Sequence, residues 1–390
     1  MKHFQKFTAV AVALVSMASC QKETNLLSTP EPQVVDVHPV NEDAGGNTLR
    51  NSDKHVYTLS NQVGGNAVID FVRGSNGTLT YSASYATGGN GTGGGLGNQG
   101  AVILTDGDDD VLLAVNAGSN SISSFKVNGN GLQLRSTVNS GGMRPVSITQ
   151  HDDIVYVLNA GGSGNISGFK LSGNKMLTPI PNSTRSLSSA ASGAAQVSFV
   201  NDGKVVVITE KATNKIITYT VDEDGMPGAM HTITSSSPTP FGFADGKHGN
   251  IFVSEAVGGA PGASVLSSYH VSNNGTITLL DGSVGAGQSA ACWVVITKNG
   301  KFAYTTNTAS NNLSTFEVNN DGDITVSQAV SATTQAGPID AALNNNSKYL
   351  YALNSVAHSI QVFEVANNGM LSHVQTLAGI PAGATGLAAK

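Results

Sequence analysis

The sequence predicts an all-β chain folded as a seven-bladed β-propeller of four-stranded antiparallel blades, with a carboxy-terminal strand completing blade 1. Three observations predict it. A phrase of strand, tight turn, alternating strand and Gly turn recurs with an aromatic at Phe71, Phe125, Phe169, Tyr219, Tyr269, Phe316 and Phe363, 44 to 54 residues apart. A period of that length marks a propeller or solenoid. Charged residues are only 12% of the chain, Gly numbers 46 and apolar residues make up 39% in alternating runs, a β-rich and turn-rich composition. The first repeat also lacks an innermost strand, while Gly383-Ala384-Thr385-Gly386-Leu387-Ala388-Ala389 aligns with 337–343 and has no strands after it. Joining the two leaves no long unpaired edge.

The amino terminus reads as an export signal. Lys2 and Lys6 precede an apolar run, Thr8 to Ala18, too short to span a bilayer. Met17-Ala18-Ser19-Cys20 then resembles the lipobox of bacterial lipoproteins, which implies lipidation at Cys20; the alternative is a plain secretory signal cleaved near Ser19. Residues 21–54 carry Pro, Asn and Asp with no sustained period and read as a flexible tether. The expectation is an exported protein, lipid-anchored to the outer membrane or cell surface of a Gram-negative bacterium and touching the membrane through that anchor only. The net charge of −6 and the lack of a basic stripe exclude nucleic acid as a partner. Cys20 and Cys292 are the only cysteines, so there is no disulfide framework and no metal-ligand spacing. No cofactor is expected, with a structural or catalytic divalent metal as the alternative, and the chain reads as a monomer.

From 55 to 390 the repeats lay out as strands divided by Gly, Asn and Asp turns. In repeat six these are Cys292 to Thr297, Phe302 to Thr306, Leu313 to Val318 and Ile324 to Val330. The aromatic falls on the third strand, where it can fill the space between blades. First strands carry small residues such as Ala194-Ala195 and Ala341-Ala342, which suits a crowded inner ring.

In this layout the second-to-third strand turns and the blade-to-blade connections share one face. The second strands end at Asn61, Asn116, Asn159, Glu210, Glu255, Asn307 and Asn354. Asn is ordinary turn chemistry, but two adjacent Glu are not. The starts of the innermost strands add Gln196, Phe241, Trp293 and Asp340, with Lys211 beside Glu210 and Arg144 opening blade 3. Carboxylates, amides, cations and aromatics gathered at an axial mouth describe a site for a small-molecule or carbohydrate ligand. Glu255 reads as general base and Glu210 or Asp340 as the second acid/base group. Lys211 or Arg144 would stabilise developing negative charge, and Phe241 and Trp293 would stack on the substrate, with Gln196, Asn307 and Asn354 as binding groups. The structural alternatives are ion pairing for Glu210, packing for Trp293, a turn cap for Asp340 and a buried filler for Cys292. The turn Asp106-Gly107-Asp108-Asp109-Asp110 lies on the far face and lacks EF-hand spacing. The Gly-rich run 86–100 has no following helix to bind phosphate and reads as a mobile rim or lid.

Asn299-Gly300-Lys301-Phe302-Ala303-Tyr304-Thr305-Thr306-Asn307 and Gly337-Pro338-Ile339-Asp340-Ala341-Ala342 resemble the lactonase-type seven-bladed propellers, which include 6-phosphogluconolactonases and carboxymuconate-lactonizing enzymes. The resemblance covers about residues 55 to 390. It implies a catalytic or binding Glu at Ser254-Glu255. The inner-strand His and Arg of that family are absent: the matching segments read Ala194-Ala195-Gln196-Val197 and Pro240-Phe241-Gly242. The function expected is a lactonase-like hydrolase or lyase of a lactone, sugar acid or related small molecule. The alternative is a non-catalytic cell-surface propeller binding a glycan or protein.

Overall fold

The computed structural model describes residues 54–105, 111–129 and 131–390. The lipidation expected at Cys20, the signal and tether before Lys54 and the Asp106 to Asp110 turn lie outside the described residues. The rest forms seven antiparallel sheets. Blade 1 runs from axis to rim as Thr385–Ala389, His55–Leu59, Ala67–Arg73 and Leu79–Ala86, so the last residues supply its innermost strand. Val56 pairs with Ala389, Tyr57 with Ala388 and Leu59 with Thr385, and Thr58 Oγ1 donates to the Gly386 carbonyl at 2.6 Å. The seven innermost strands touch one another in a closed ring, which makes the axis a shared wall of all blades.

The repeated aromatics do what their position on the third strand demands. All seven are at most 3% exposed and lie within the apolar clusters that fill the fold. In blades 1, 2, 5, 6 and 7 the pairing of third and fourth strands slips immediately before that aromatic, at Phe71, Phe125, Tyr269, Phe316 and Phe363. A bulge there bends the outer strand and increases its twist, which protects uncharged edges such as Ile324–Thr333 from pairing with another chain. Blade 3 departs from the pattern. Its outer position is split into Leu177–Pro179 and Arg185–Ser186, both paired with Asn165–Leu171, which explains the displaced turn after Phe169.

A second set of bulges matters more for function. The first strand slips against the second near its start at Pro145, Ala194, Pro240, Ala291 and Pro338, and between Tyr57 and Leu59 in blade 1. Each slip re-aims side chains at the axial mouth. Blade 2 alone has an unbulged inner strand, Val102–Leu104. The chain leading into it takes another route.

Candidate active site at the axial mouth

At the ring of second-strand ends, Asn307 and Asn354 each tie the second strand to the third strand of the same blade. Asn307 Nδ2 donates to Asn312 Oδ1 at 2.7 Å and Ser314 Oγ at 2.8 Å. Asn354 Nδ2 donates to Ser359 Oγ at 3.2 Å and Gln361 Oε1 at 3.1 Å. These partners lie on third strands, so both amides reach away from the axis. The two glutamates replace this amide clamp with a carboxylate clamp. Glu210 accepts from Ser188 N at 2.8 Å and from the hydroxyls of Ser188 and Thr213. Glu255 accepts from Ser237 N at 3.0 Å, Ser267 Oγ at 2.8 Å and Tyr269 OH at 2.7 Å. Each carboxylate ties down the connection that enters its own blade, and both are fully buried.

Burial pushes the Glu255 carboxyl up to about 7, against the pull of its hydrogen bonds from Tyr269, Ser267 and the 236–237 backbone. Between pH 4.5 and 7 the folded chain therefore keeps a proton that the unfolded chain has lost, so stability falls as pH rises through that window. The contribution is about 3 kcal/mol at most. Urea midpoints should drop from pH 5 to pH 7.5, and Glu255→Gln should remove part of that drop while lowering the midpoint at pH 5. An unchanged pH dependence in the variant would refute the assignment.

At the axis the structure brings together Lys211, Phe241 and Trp293. The Phe241 and Trp293 rings lie 4.9 Å apart, tilted by 55°, and Lys211 Nζ stands 4.5 Å from the Phe241 centroid, a cation–π contact. Burial lowers the Lys211 amine to about 8, and the nearby Arg144 guanidinium adds to the effect. Among the described residues neither cation has a carboxylate within ion-pair distance. Arg144 has a φ of 54°, at the turn position that blades 2, 4 and 7 fill with Gly100, Gly193 and Gly337; its N–H donates to Asn120 Oδ1 at 2.7 Å. A left-handed arginine costs about 1 kcal/mol, which the Asn120 bond offsets.

Gln196 does not line the mouth freely. Its amide donates to the Phe243 carbonyl at 3.0 Å and accepts from the Phe243 N–H at 2.7 Å, joining the inner strands of blades 4 and 5. Asp340 is buried at the start of the blade 7 inner strand and accepts from Ala341 N at 2.8 Å. Burial holds its carboxyl well above the usual carboxylate range despite backbone bonds from Ala341 and Leu387. It lies close to the closing strand, whose Leu387 N–H is one of its donors.

The sequence reading missed what crosses the axis. Only part of the Gly-rich run lies at the rim: residues 96–98 are buried in the channel. Trp293 Nε1 donates to the Asn98 carbonyl at 2.7 Å, and Lys211 Nζ donates to the Gly97 carbonyl. The Gln99 side chain pairs with the Val294 backbone, its Nε2 donating to the carbonyl at 2.8 Å and its Oε1 accepting from the N–H at 3.2 Å. A Gln99 N–H bond to the Ala195 carbonyl, at 3.2 Å, and an Ile148 N–H bond to the Gly100 carbonyl, at 2.9 Å, fasten this strap to blades 4 and 3. Asn98 Oδ1 is buried without a hydrogen-bond partner. Polar Asn98-Gln99 interrupting a Gly run just ahead of a first strand is the signal that could have revealed the strap.

The face around the mouth is electrostatically one-sided. Apart from the buried Glu210 and Glu255, its described turns and connections carry no Asp or Glu, but they hold Arg144, Lys211 and Lys215. The turns of the opposite face carry the acids, among them Asp152, Asp153, Asp202, Asp222, Asp224, Asp321 and Asp323. Among the described residues no group of three or more His, Cys, Asp or Glu converges to hold a metal ion.

Residues 229–341 and 264–387 match the sequence profile of the family described as Lactonase, 7-bladed beta-propeller. The chain is similar to the lactonase-type propellers. No curated protein matches it by sequence. Among solved structures, a candidate 6-phosphogluconolactonase from Bacteroides uniformis superposes with a TM-score of 0.67 at 17% identity, covering 85% of this chain and 99% of that one. A periplasmic gluconolactonase from Pseudomonas aeruginosa gives 0.65 at 15% identity, covering 85% and 98%. A protein from Lactobacillus plantarum gives 0.68 at 17%, covering 86% and 98%. At these identities the structural likeness establishes the propeller fold. Where the lactonase-type resemblance would place an inner-strand His and Arg, this chain has Gln196 and Phe241. Its cations come instead from the turn after Glu210 and from the entry to blade 3.

Proposed function

We propose that this lactonase-like propeller is an exported enzyme, anchored through Cys20, that hydrolyses or eliminates on a lactone or sugar acid at the axial mouth. The observation that carries the reading is Lys211. It is a desolvated ammonium with no carboxylate partner among the described residues, set over Phe241 beside Trp293 on a face without exposed acids. A desolvated cation in that setting favours an anion or a developing oxyanion.

In this reading Lys211 and Arg144 hold the substrate carboxylate or the oxyanion, and the aromatic pair covers the apolar face of the sugar ring. Asp340, whose burial favours the protonated form, serves as the acid. Glu255 and Glu210 act as positioning residues through the connections they clamp, which lead to Phe241 and Gln196. Turnover of a panel of lactones and sugar acids tests the reading, with Glu255→Gln as a comparison. Activity should survive that substitution at reduced stability. If Glu255→Gln abolishes turnover in a folded protein, Glu255 itself carries the chemistry. Ligand affinity should weaken as pH rises through about 8, where the Lys211 ammonium deprotonates; affinity that holds steady to about pH 10 would remove Lys211 from the site. Saturable binding with no product would instead favour a binding propeller.

A further inference from the structure

We propose that the strap Gly91–Gly100 is a built-in competitor for the axial site, holding the donors that a ligand would take and withdrawing when one binds. This rests on the axial-site reading above. The two donors that point at the channel, Lys211 Nζ and Trp293 Nε1, are both occupied by consecutive carbonyls of the strap, at Gly97 and Asn98. Carbonyl oxygens on those two donors stand where the oxygens of a lactone or carboxylate would bind.

The strap is fastened by bonds that can be exchanged. Its outer end is fixed to blade 1, where Asn61 accepts from Thr92 N at 3.0 Å and donates to the Gly94 carbonyl at 2.6 Å. Gly95 follows with open space around the position of a side chain. It is a ready hinge. Beyond it Gln99 docks on Val294 in blade 6, and Gly242 leaves the room: a Cβ there would lie 2.1 Å from Gln99 Oε1. Blade 2, whose inner strand begins with Val102, gives up the bulge of the other blades so that its entry can cross the axis.

A ligand binding only the open state pays a penalty set by the open fraction, and weakening the strap removes that penalty. Gln99→Ala deletes the side-chain bonds to Val294 and leaves the blades intact. Trp293 is the only tryptophan of the chain, so its emission reports the strap without interference. Acrylamide quenching should be low in the natural protein and rise several-fold in Gln99→Ala, with the melting temperature showing that the propeller stays folded. D-gluconate affinity, read from the same emission, should tighten about tenfold, equivalent to about 1.4 kcal/mol. Gln99→Ser, which also loses both Val294 bonds and adds no charge, should shift both readouts in the same direction. Unchanged quenching in both folded variants would overturn the strap as a movable element. Increased quenching with gluconate affinity unchanged or weaker would overturn the competition. Increased quenching with no gluconate response in any of the proteins would overturn the axial-site reading instead, and the competition with it.

Discussion

Replacing Lys211 with Met is expected to weaken binding of an anionic sugar acid by about 100-fold or more, and to remove lactone turnover, without lowering the melting temperature. The loss of affinity has the scale of deleting one partner of a desolvated charge pair. The stability expectation follows from the lowered amine, about 8 in the fold against 10.5 unfolded. Between those values the unfolded chain binds the extra proton, so stability rises with pH there, and at neutral pH the buried ammonium costs stability. The cost is on the order of 1–3 kcal/mol, partly offset by the Gly97 bond and the Phe241 contact. Methionine keeps the length and the apolar packing and drops the charge. A residue kept for packing would show the reverse pattern, with stability lost and binding preserved. Calorimetric melting and a gluconate titration on the same variant separate the two.

Deleting 383–390 is expected to lower the melting temperature by about 10 °C or more, or to prevent folding. The segment is the inner strand of blade 1. Without it Val56, Tyr57 and Leu59, each at most 1% exposed, lose their partner strand, and Thr58 Oγ1 loses the Gly386 carbonyl. The ring of inner strands would then open between blades 7 and 2, and His55–Leu59 would become an unpaired edge. Asp340 would also lose its backbone bond from Leu387, so the effect reaches the mouth. A truncated protein that melts with the intact one would show that the ring does not depend on this strand.

The fold was legible because a propeller writes its period into the chain. Seven aromatics with a Gly turn behind each one fixed the blades, and the unmatched tail from Gly383 pointed to blade 1 as its place. The gathering of Phe241, Trp293 and Lys211 followed from the same register, because equivalent positions of neighbouring blades meet at the axis. What the register could not give is side-chain direction. Glu210, Glu255, Asn307 and Asn354 occupy the right rim position, but the pleat turns them away from the axis, where hydroxyls, amide oxygens and backbone N–H groups satisfy them. The bulges at the starts of the inner strands reset direction again, which is why Gln196 spans to Phe243. The strap was hidden for a different reason. A Gly-rich run has no periodicity, and its burial depends on long-range partners such as Trp293, whose distance in sequence is 195 residues from Asn98.

The most direct test of the axial assignment is a crystal structure of the protein grown with D-gluconate. The ligand carboxylate is expected on Lys211 Nζ, in place of the Gly97 carbonyl, with the sugar chain along Phe241 and Trp293 and the strap displaced from the axis. Gluconate bound elsewhere on the propeller, with Gly97 and Asn98 still on Lys211 and Trp293, would contradict it.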